Sequence, residues 1–153
     1  MVYNKHNNNS QDDIRSIFQF NEQKLINFYS KVYSYRTNRL ENLWKWLYRI
    51  EFLFKKNPVI AVNNKKIIGH MGLIPFWLNL KGKKVTAAWY ADMHVLPKHR
   101  GKGVATKITE KLMKLTDIYL SFGNDQSMNI FKKYGWIKTY ENNLHYFFLE
   151  PMN

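Results

Sequence analysis

Residues 95–105, Val95-Leu96-Pro97-Lys98-His99-Arg100-Gly101-Lys102-Gly103-Val104-Ala105, constrain the fold more than any other stretch of this chain. They join a strand-like segment to an amphipathic helix through a short basic loop that carries two glycines. Before the loop, Trp89-Tyr90-Ala91-Asp92-Met93-His94-Val95 mixes β-branched and aromatic residues with alternating polar ones, and Pro97 then removes a backbone donor and ends the ladder. After it, Val104, Ile108, Leu112 and Leu115 recur at helical spacing, while Lys107, Glu110, Lys111 and Lys114 take the other side. Gly101 and Gly103 therefore fall at a predicted helix N-terminus. Free N–H groups and the helix dipole favour an anion there, and the missing side chains let it approach.

A chain of 153 residues is one domain of ordinary size. Residues 1–10 are expected to form a flexible N-terminus and residues 11–153 a single domain. A hydrophobic content of 45% with 10 Phe, 10 Tyr and 5 Trp excludes a disordered chain. No run approaches the roughly 18 to 20 apolar residues of a membrane span, so a soluble protein without a membrane partner is expected. The absence of cysteine excludes disulfides, thiolate metal sites and a cysteine nucleophile, and no metal is expected. Met1 to Ser10 lacks the apolar core of a signal peptide, which points to the cytoplasm.

Charge is the extreme of the composition: 24 Lys plus Arg against 11 Asp plus Glu give +13, so some anion is an expected partner. The basic residues are scattered through Lys65-Lys66, Lys81 to Lys84, Lys98 to Lys102 and Lys132-Lys133 rather than gathered in one tail. That distribution argues against nucleic acid and leaves general surface chemistry and a phosphorylated cofactor as explanations.

Along the chain, Ser10 reads as an N-cap ahead of Asp12 and Asp13. Ile14, Ile17 and Phe18, then Leu25, Phe28, Tyr29 and Val32, predict two short helices or a bent one. A further helix is predicted near Leu40 to Ile50, with Leu40, Leu43, Trp44 and Leu47 on one face. Strands follow at Pro58 to Val62, at Lys66 to Pro75 and at Trp77 to Leu80 around a break at Pro75, with one or two more over Lys84 to Leu96. The helix after the loop is expected to run to about Asp117. Ile118 to Phe122 reads as a strand, Gln126 to Lys133 as a short helix, and Trp136 to Tyr140 with Leu144 to Leu149 as a last strand pair. Helices before, between and after the strands of a mixed sheet make an α+β or α/β domain.

Two familiar phosphate loops fail on spacing. Gly101-Lys102-Gly103-Val104-Ala105-Thr106 lacks the Walker arrangement, and Thr106 stands where a dinucleotide loop needs its third glycine. Arg-x-x-Gly-x-Ala at Arg100, Gly103 and Ala105, after Val95-x-Pro97, instead resembles the acetyl-CoA loop of the GNAT superfamily, the general-control-related N-acetyltransferases. A second block, Asn124 to Trp136, is similar to that family's closing segment. It has Asn124, a small residue three later, an aromatic residue seven later and Gly135-Trp136 at eleven and twelve. Ile67-Ile68-Gly69-His70 matches an earlier strand, so the resemblance covers roughly residues 58 to 140. Leu43 to Tyr48, with Asp92, adds a similarity to acetyltransferases of surface-sugar or antibiotic-modifying type.

The resemblance implies an α+β (α/β GNAT-like) fold whose central, mostly antiparallel mixed sheet is flanked by helices and splayed at the strand that binds acetyl-CoA. It implies acetyl-CoA as co-substrate and acetyl transfer to a primary amine of a small molecule, such as an amino sugar. Gly101, Lys102, Gly103, Val104 and Ala105 with Arg100 would hold the pyrophosphate; the alternative is an ordinary glycine-rich turn. Met93, Val95 and Leu96 would receive the pantetheine arm through their backbone. A backbone N–H near Val95 or Leu96 would stabilise an oxyanion, a role worth about 3 kcal/mol.

The attacking amine must lose a proton. Strand alternation puts Tyr90, Asp92 and His94 on one side and Ala91, Met93 and Val95 on the other, which makes Asp92 or His94 the candidate base against a purely structural reading of both. His70 reads as structural, and His6, His99 and His145 as surface or loop residues. The family's acid is a tyrosine seven residues after the Asn, and here that position is Phe131, whose ring has no proton to give. Tyr134 is the substitute the sequence offers; the alternative is departure of the thiolate without an acid. Phe131 would then pack against the cofactor, and Asn124 would contact the pantetheine or the helix that follows. Trp44, Trp46, Tyr48, Phe76 and Trp77 read as core or as walls of an acceptor pocket, and Arg36 and Arg39 as a solvated face or as contacts to an acidic sugar. Two other functions compete: a catalytically degenerate CoA-binding regulatory protein, and a basic nucleic-acid-binding domain. The oligomeric state stays open, a homodimer among its options.

Overall fold

The structure, a computed structural model, describes residues 13–16, 20–36, 39–48, 57–123 and 125–137. Its elements are β1 (Asp13–Ser16), α1 (Glu22–Val32), α2 (Arg39–Leu47), β2 (Val59–Asn63), β3 (Lys66–Leu80), β4 (Lys83–Val95), α3 (Val104–Leu112), β5 (Ile118–Ser121) and α4 (Asp125–Lys133). The five strands form one sheet in the order β1-β2-β3-β4-β5. The first three pairings are antiparallel and β4 with β5 is parallel, the mixed, mostly antiparallel sheet that the sequence implied. The chain divides into two compact units, Met1–Phe122 and Gly123–Asn153.

In the first unit, α1 and α2 cover one face of the sheet. Asn21 caps α1 through a hydrogen bond from the Lys24 N–H, Glu22 sits in its first turn and Lys31 in its last. Leu25, Phe28 and Tyr29, three and four apart, turn inward and meet Leu40, Trp44, Tyr48, Ile60, Val62 and Ile67. The opposite face is covered by α3, where Gly69 leaves room for Ile108 and Val104.

Four expectations change. Asp13–Ser16 is a strand, not a helix, because residues Val59–Val62 of β2 offer it a ladder that no local pattern reveals. Pro75 does not break its strand: β3 runs unbroken from Lys66 to Leu80. The register of β2 ends at Met71, so Pro75 sits where β3 has, among the described residues, no strand on its second side, and a missing donor costs little. The helix after the loop stops at Leu112 rather than Asp117, because Asp117 is taken into a clasp with Thr86. Its carboxylate accepts the Thr86 N–H at 2.9 Å and the Thr86 hydroxyl at 2.6 Å, aligning β5 with β4. Trp136 and Ile137 are not in a strand, and the rest of the expected last strand pair lies outside the described residues. Residues 1–10 also lie outside them. Among the described residues no helix is long and apolar enough to cross a membrane, and no group of three His, Asp or Glu side chains is placed to hold a metal ion.

Candidate active site

Among the described residues, the edge of β4 is open over its second half. Its pairing with β5 covers only Ala87 to Tyr90, while β3 continues beside it to Val95. Ala91 to Val95 therefore have, among the described residues, no strand on the β5 side. Leu96 donates its N–H to the Ile68 carbonyl at 2.8 Å. Gly69 and Val95 then face each other as a non-hydrogen-bonded pair, so the N–H and C=O of Val95 point away from β3 to the open edge. Leu96 is thus corrected as an expected donor: its N–H is committed to β3, and its side chain packs with the α1–α2 core.

Within this stretch β4 carries a bulge. His70 pairs with His94 and Gly72 with Ala91, so Asp92 and Met93 together stand opposite Met71. Asp92 adopts φ +58°, a left-handed conformation that Asp tolerates better than most residues. The extra residue overturns the expected alternation. Ala91 and His94 share the α1–α2 face, and Tyr90 turns to the other, its ring edge-on to Tyr119.

Four buried side chains converge on Asp92. The Tyr33 hydroxyl donates to its carbonyl, and His70 Nδ1 meets the same oxygen at 3.0 Å. The Tyr48 hydroxyl donates to Asp92 Oδ2 at 2.9 Å, and the Tyr29 hydroxyl lies 2.7 Å from His70 Nε2. Burial, then the Tyr33 and Asp92 charges, push the Tyr29 phenol well above its ordinary range; burial, then Tyr29 and Asp92, do the same for Tyr48. Both phenols stay protonated. His94 packs against Phe28 and Tyr33 at ring distances of 6.2 and 5.9 Å, and burial followed by the Arg100 charge lowers its pKa.

Beyond β4 the chain makes a tight turn over Pro97–His99, with His99 N–H bonded to the Leu96 carbonyl and Arg100 N–H to the Pro97 carbonyl. The Arg100 side chain folds back, its Nε–H donating to the Val95 carbonyl at 2.9 Å. Gly101 and Gly103 take φ +72° and +78°, and Gly103 begins α3. The first helical bond is Lys107 N–H to the Gly103 carbonyl, so the N–H groups of Val104, Ala105 and Thr106 precede any helical acceptor. No heavy atom lies within 4 Å of a Cβ placed on either glycine.

Of the other expected residues, Met93 is the half-buried second residue of the bulge and Lys102 is exposed. Trp44 and Tyr48 are core; Trp46 and Trp77 are exposed. Nothing is described of the Arg36 and Arg39 side chains, and Asn124 lies outside the described residues. In the second unit α4 carries Phe131, whose ring stacks on Trp136 at 4.3 Å and 14°, and Tyr134 follows with its N–H on the Phe131 carbonyl.

Tyr29 of α1 and Tyr33 at its C-cap, both buried, were missed as site residues. Their signal was the four-residue spacing of Tyr29 and Tyr33 on an apolar face, since buried hydroxyls must find partners.

A family model described as an acetyltransferase (GNAT) domain matches residues 13–138, the greater part of the chain. The chain belongs to the GNAT acetyltransferases. No match is found among curated proteins. Solved structures share the GNAT fold. Glucosamine-6-phosphate N-acetyltransferase from Arabidopsis thaliana is similar at 14% identity and a TM-score of 0.67, over 90% of this chain and 99% of that one. A predicted acetyltransferase from Clostridium acetobutylicum, determined with acetyl-CoA, is similar at 17% identity and 0.64, over 89% and 96%. An aminoglycoside N-acetyltransferase in complex with CoA is similar at 14% identity and 0.63, over 92% and 97%. As a GNAT-type N-acetyltransferase, the chain is an enzyme of acetyl transfer.

Proposed function

We propose that this GNAT enzyme moves the acetyl group of acetyl-CoA to a primary amine of a small molecule, an amino sugar or similar, by direct attack of the amine on the thioester. The observation that carries the reading is the open edge of β4, where the Val95 backbone points off the sheet just before a left-handed glycine loop that opens α3. An acetyl-CoA donor fits these residues: Gly101 and Gly103 present no side chain, the first N–H groups of α3 precede any helical acceptor and suit a diphosphate, and the Met93 to Val95 edge offers a ladder to an amide-bearing arm. The Val95 N–H is suited to donate to the thioester oxygen as negative charge develops on it. Arg100 acts chiefly by holding the loop to Val95, with donors to spare for phosphate.

Asp92 is the base of this reading. Its carboxylate is fixed by Tyr48 beside the open edge and can take the ammonium proton that blocks attack. His94, kept neutral by burial and by Arg100, is the second candidate. Tyr134 as proton donor to the departing thiolate, and Asn124 as a polar contact, rest on the motif in the sequence alone. The charge of +13 weighs against a polycationic acceptor such as an aminoglycoside and suits a neutral or phosphorylated amino sugar. Phe131, which carries no acid, favours one second reading, a CoA-binding regulator without turnover.

Thermal stability with acetyl-CoA, CoA, ATP and NAD, followed by thiol release across an amine panel, tests both. Stabilisation by the two CoA species and thiol release with amino sugars are expected. Stabilisation by ATP or NAD alone would sink the acetyl-CoA reading, and CoA binding without thiol release from any amine would favour the regulator.

A further inference from the structure

Two buried side chains that the proposed reaction does not use hold the bulge of β4. Tyr33, at the C-cap of α1, and His70, on β3, both end on the Asp92 carbonyl. A carbonyl oxygen only accepts, so His70 Nδ1 carries the hydrogen there, and in the neutral ring Nε2 is left to accept from the Tyr29 hydroxyl at 2.7 Å. That second contact, with the rings of Phe28 and Tyr48 at 6.2 and 5.7 Å, fixes the plane of the imidazole. Both donors reach Asp92 from the α1–α2 face. They hold the Asp92–Met93 peptide turned to that side, with Asp92 at φ +58°.

The bulge decides which amide faces the open edge. At Gly69 the backbone of β3 points away from β4, so whichever β4 residue stands opposite Gly69 turns its own N–H and C=O outward as well. With the bulge, that residue is Val95. Paired one for one from Gly72 and Ala91, Met71 would face Asp92, His70 would face Met93 and Gly69 would face His94. The Val95 N–H would then turn into the ladder. His94 would present its N–H instead, one residue further along the chain from the glycine loop.

We propose that Tyr33 and His70 are positioning residues of acetyl transfer: by gripping the Asp92 carbonyl they keep Val95, and not His94, as the residue whose N–H meets the thioester oxygen. This rests on the reading of the Val95 N–H as that donor. Neither side chain touches acetyl-CoA or the amine in this scheme, and both act through the bulge. Tyr29 acts one step further out, by orienting the His70 ring.

Two readouts on the full chain test the proposal: hydrogen exchange at the His94 and Val95 amides, followed by nitrogen-15 NMR, and steady-state acetylation of an amino sugar. In the wild type the His94 amide, paired with β3, should exchange at least about tenfold more slowly than that of Val95. With both donors removed by Tyr33→Phe and His70→Gln together, the order should reverse, whereas a merely loosened sheet would speed both amides. If that double variant does not fold, Tyr33→Phe alone should narrow the gap by about threefold or more. Kinetics separate the two contacts of His70. His70→Asn puts a donor near the place of Nδ1 and loses Tyr29; His70→Gln reaches Tyr29 and loses the Asp92 carbonyl. Both lose the ring and should cost stability. Only in His70→Gln should kcat fall, by about tenfold or more, with KM for the amine within about twofold in both. Exchange rates that keep their wild-type ratio in the variants, or equal kcat in His70→Asn and His70→Gln, overturn the proposal. Reversed exchange in a protein whose wild type acetylates no amine would instead overturn amine acetylation and leave the grip on the bulge standing.

Discussion

The ring of Tyr48 occupies the space that a side chain at Gly72 would need. A Cβ there would fall inside contact distance of Tyr48 Cε1, Cζ and Cδ1. Tyr48 cannot yield, because it is fully buried and its hydroxyl is fixed on Asp92. Gly72→Ala is expected to destabilise the protein by about 2 to 3 kcal/mol, as overpacking of a tight core does. Urea unfolding measures it, and an unchanged midpoint would mean that the ring has somewhere to go.

Asn57 takes the place of a missing strand. Beyond Met71 the β2 register has ended, and the Asn57 side chain accepts the Leu73 N–H at 3.0 Å and donates to the Leu73 carbonyl at 2.6 Å and the Tyr48 carbonyl at 2.9 Å. All of this is buried, so Asn57→Ala strands three backbone groups and should cost roughly 2 to 4 kcal/mol. Asn57→Asp, which keeps the acceptor and loses the donors, should also destabilise. Equal unfolding midpoints for the wild type and both variants would contradict this role.

Gly101 and Gly103 have open space around them, so alanine there meets no atom and only strains a left-handed backbone. Each substitution should cost about 1 kcal/mol of stability. The larger effect should be on acetyl-CoA, because the new methyl stands where a phosphate would approach: about a tenfold loss of affinity, or 1.4 kcal/mol. Calorimetric titration with CoA distinguishes the two effects, and unchanged affinity in both variants would remove the loop from the donor site.

The pH dependence of stability should carry the signature of His94. Its folded-state pKa lies below the usual histidine value because of burial and then Arg100, so the unfolded chain binds a proton more readily. Stability is therefore whole above the unfolded pKa of about 6.5 and falls as pH drops through it. His94→Gln should flatten that fall, and Arg100→Gln should reduce it. Unfolding curves between about pH 5 and 8 test this, and an undiminished slope in His94→Gln would assign the fall to another group.

The parts of the fold that depend on neighbouring residues were legible. Asn21 ahead of an inward-facing Leu25, Phe28 and Tyr29, or Gly103 ahead of Val104 and Ile108, write helices in a local code of caps and spacing. The loop was legible for the same reason: two glycines just ahead of a helical spacing mark where the chain can take the left-handed conformation that other residues resist, and both take it. Asp13–Ser16 misled because a four-residue edge strand owes its form to β2, far along the chain. Pro75 misled because its cost depends on whether a neighbour needs its N–H, which only the sheet order settles.

The sequence by itself determined the family and the order of elements from β2 to α4, since both rest on short-range spacing. Only the tertiary structure decided which face of β4 each side chain takes. The bulge at Asp92 and Met93 adds one residue opposite Met71, shifts every later side chain to the other face and turns the Val95 backbone to the open edge. It persists because Tyr33 and His70, held on other elements, grip the Asp92 carbonyl in a conformation its own neighbours in sequence do not specify.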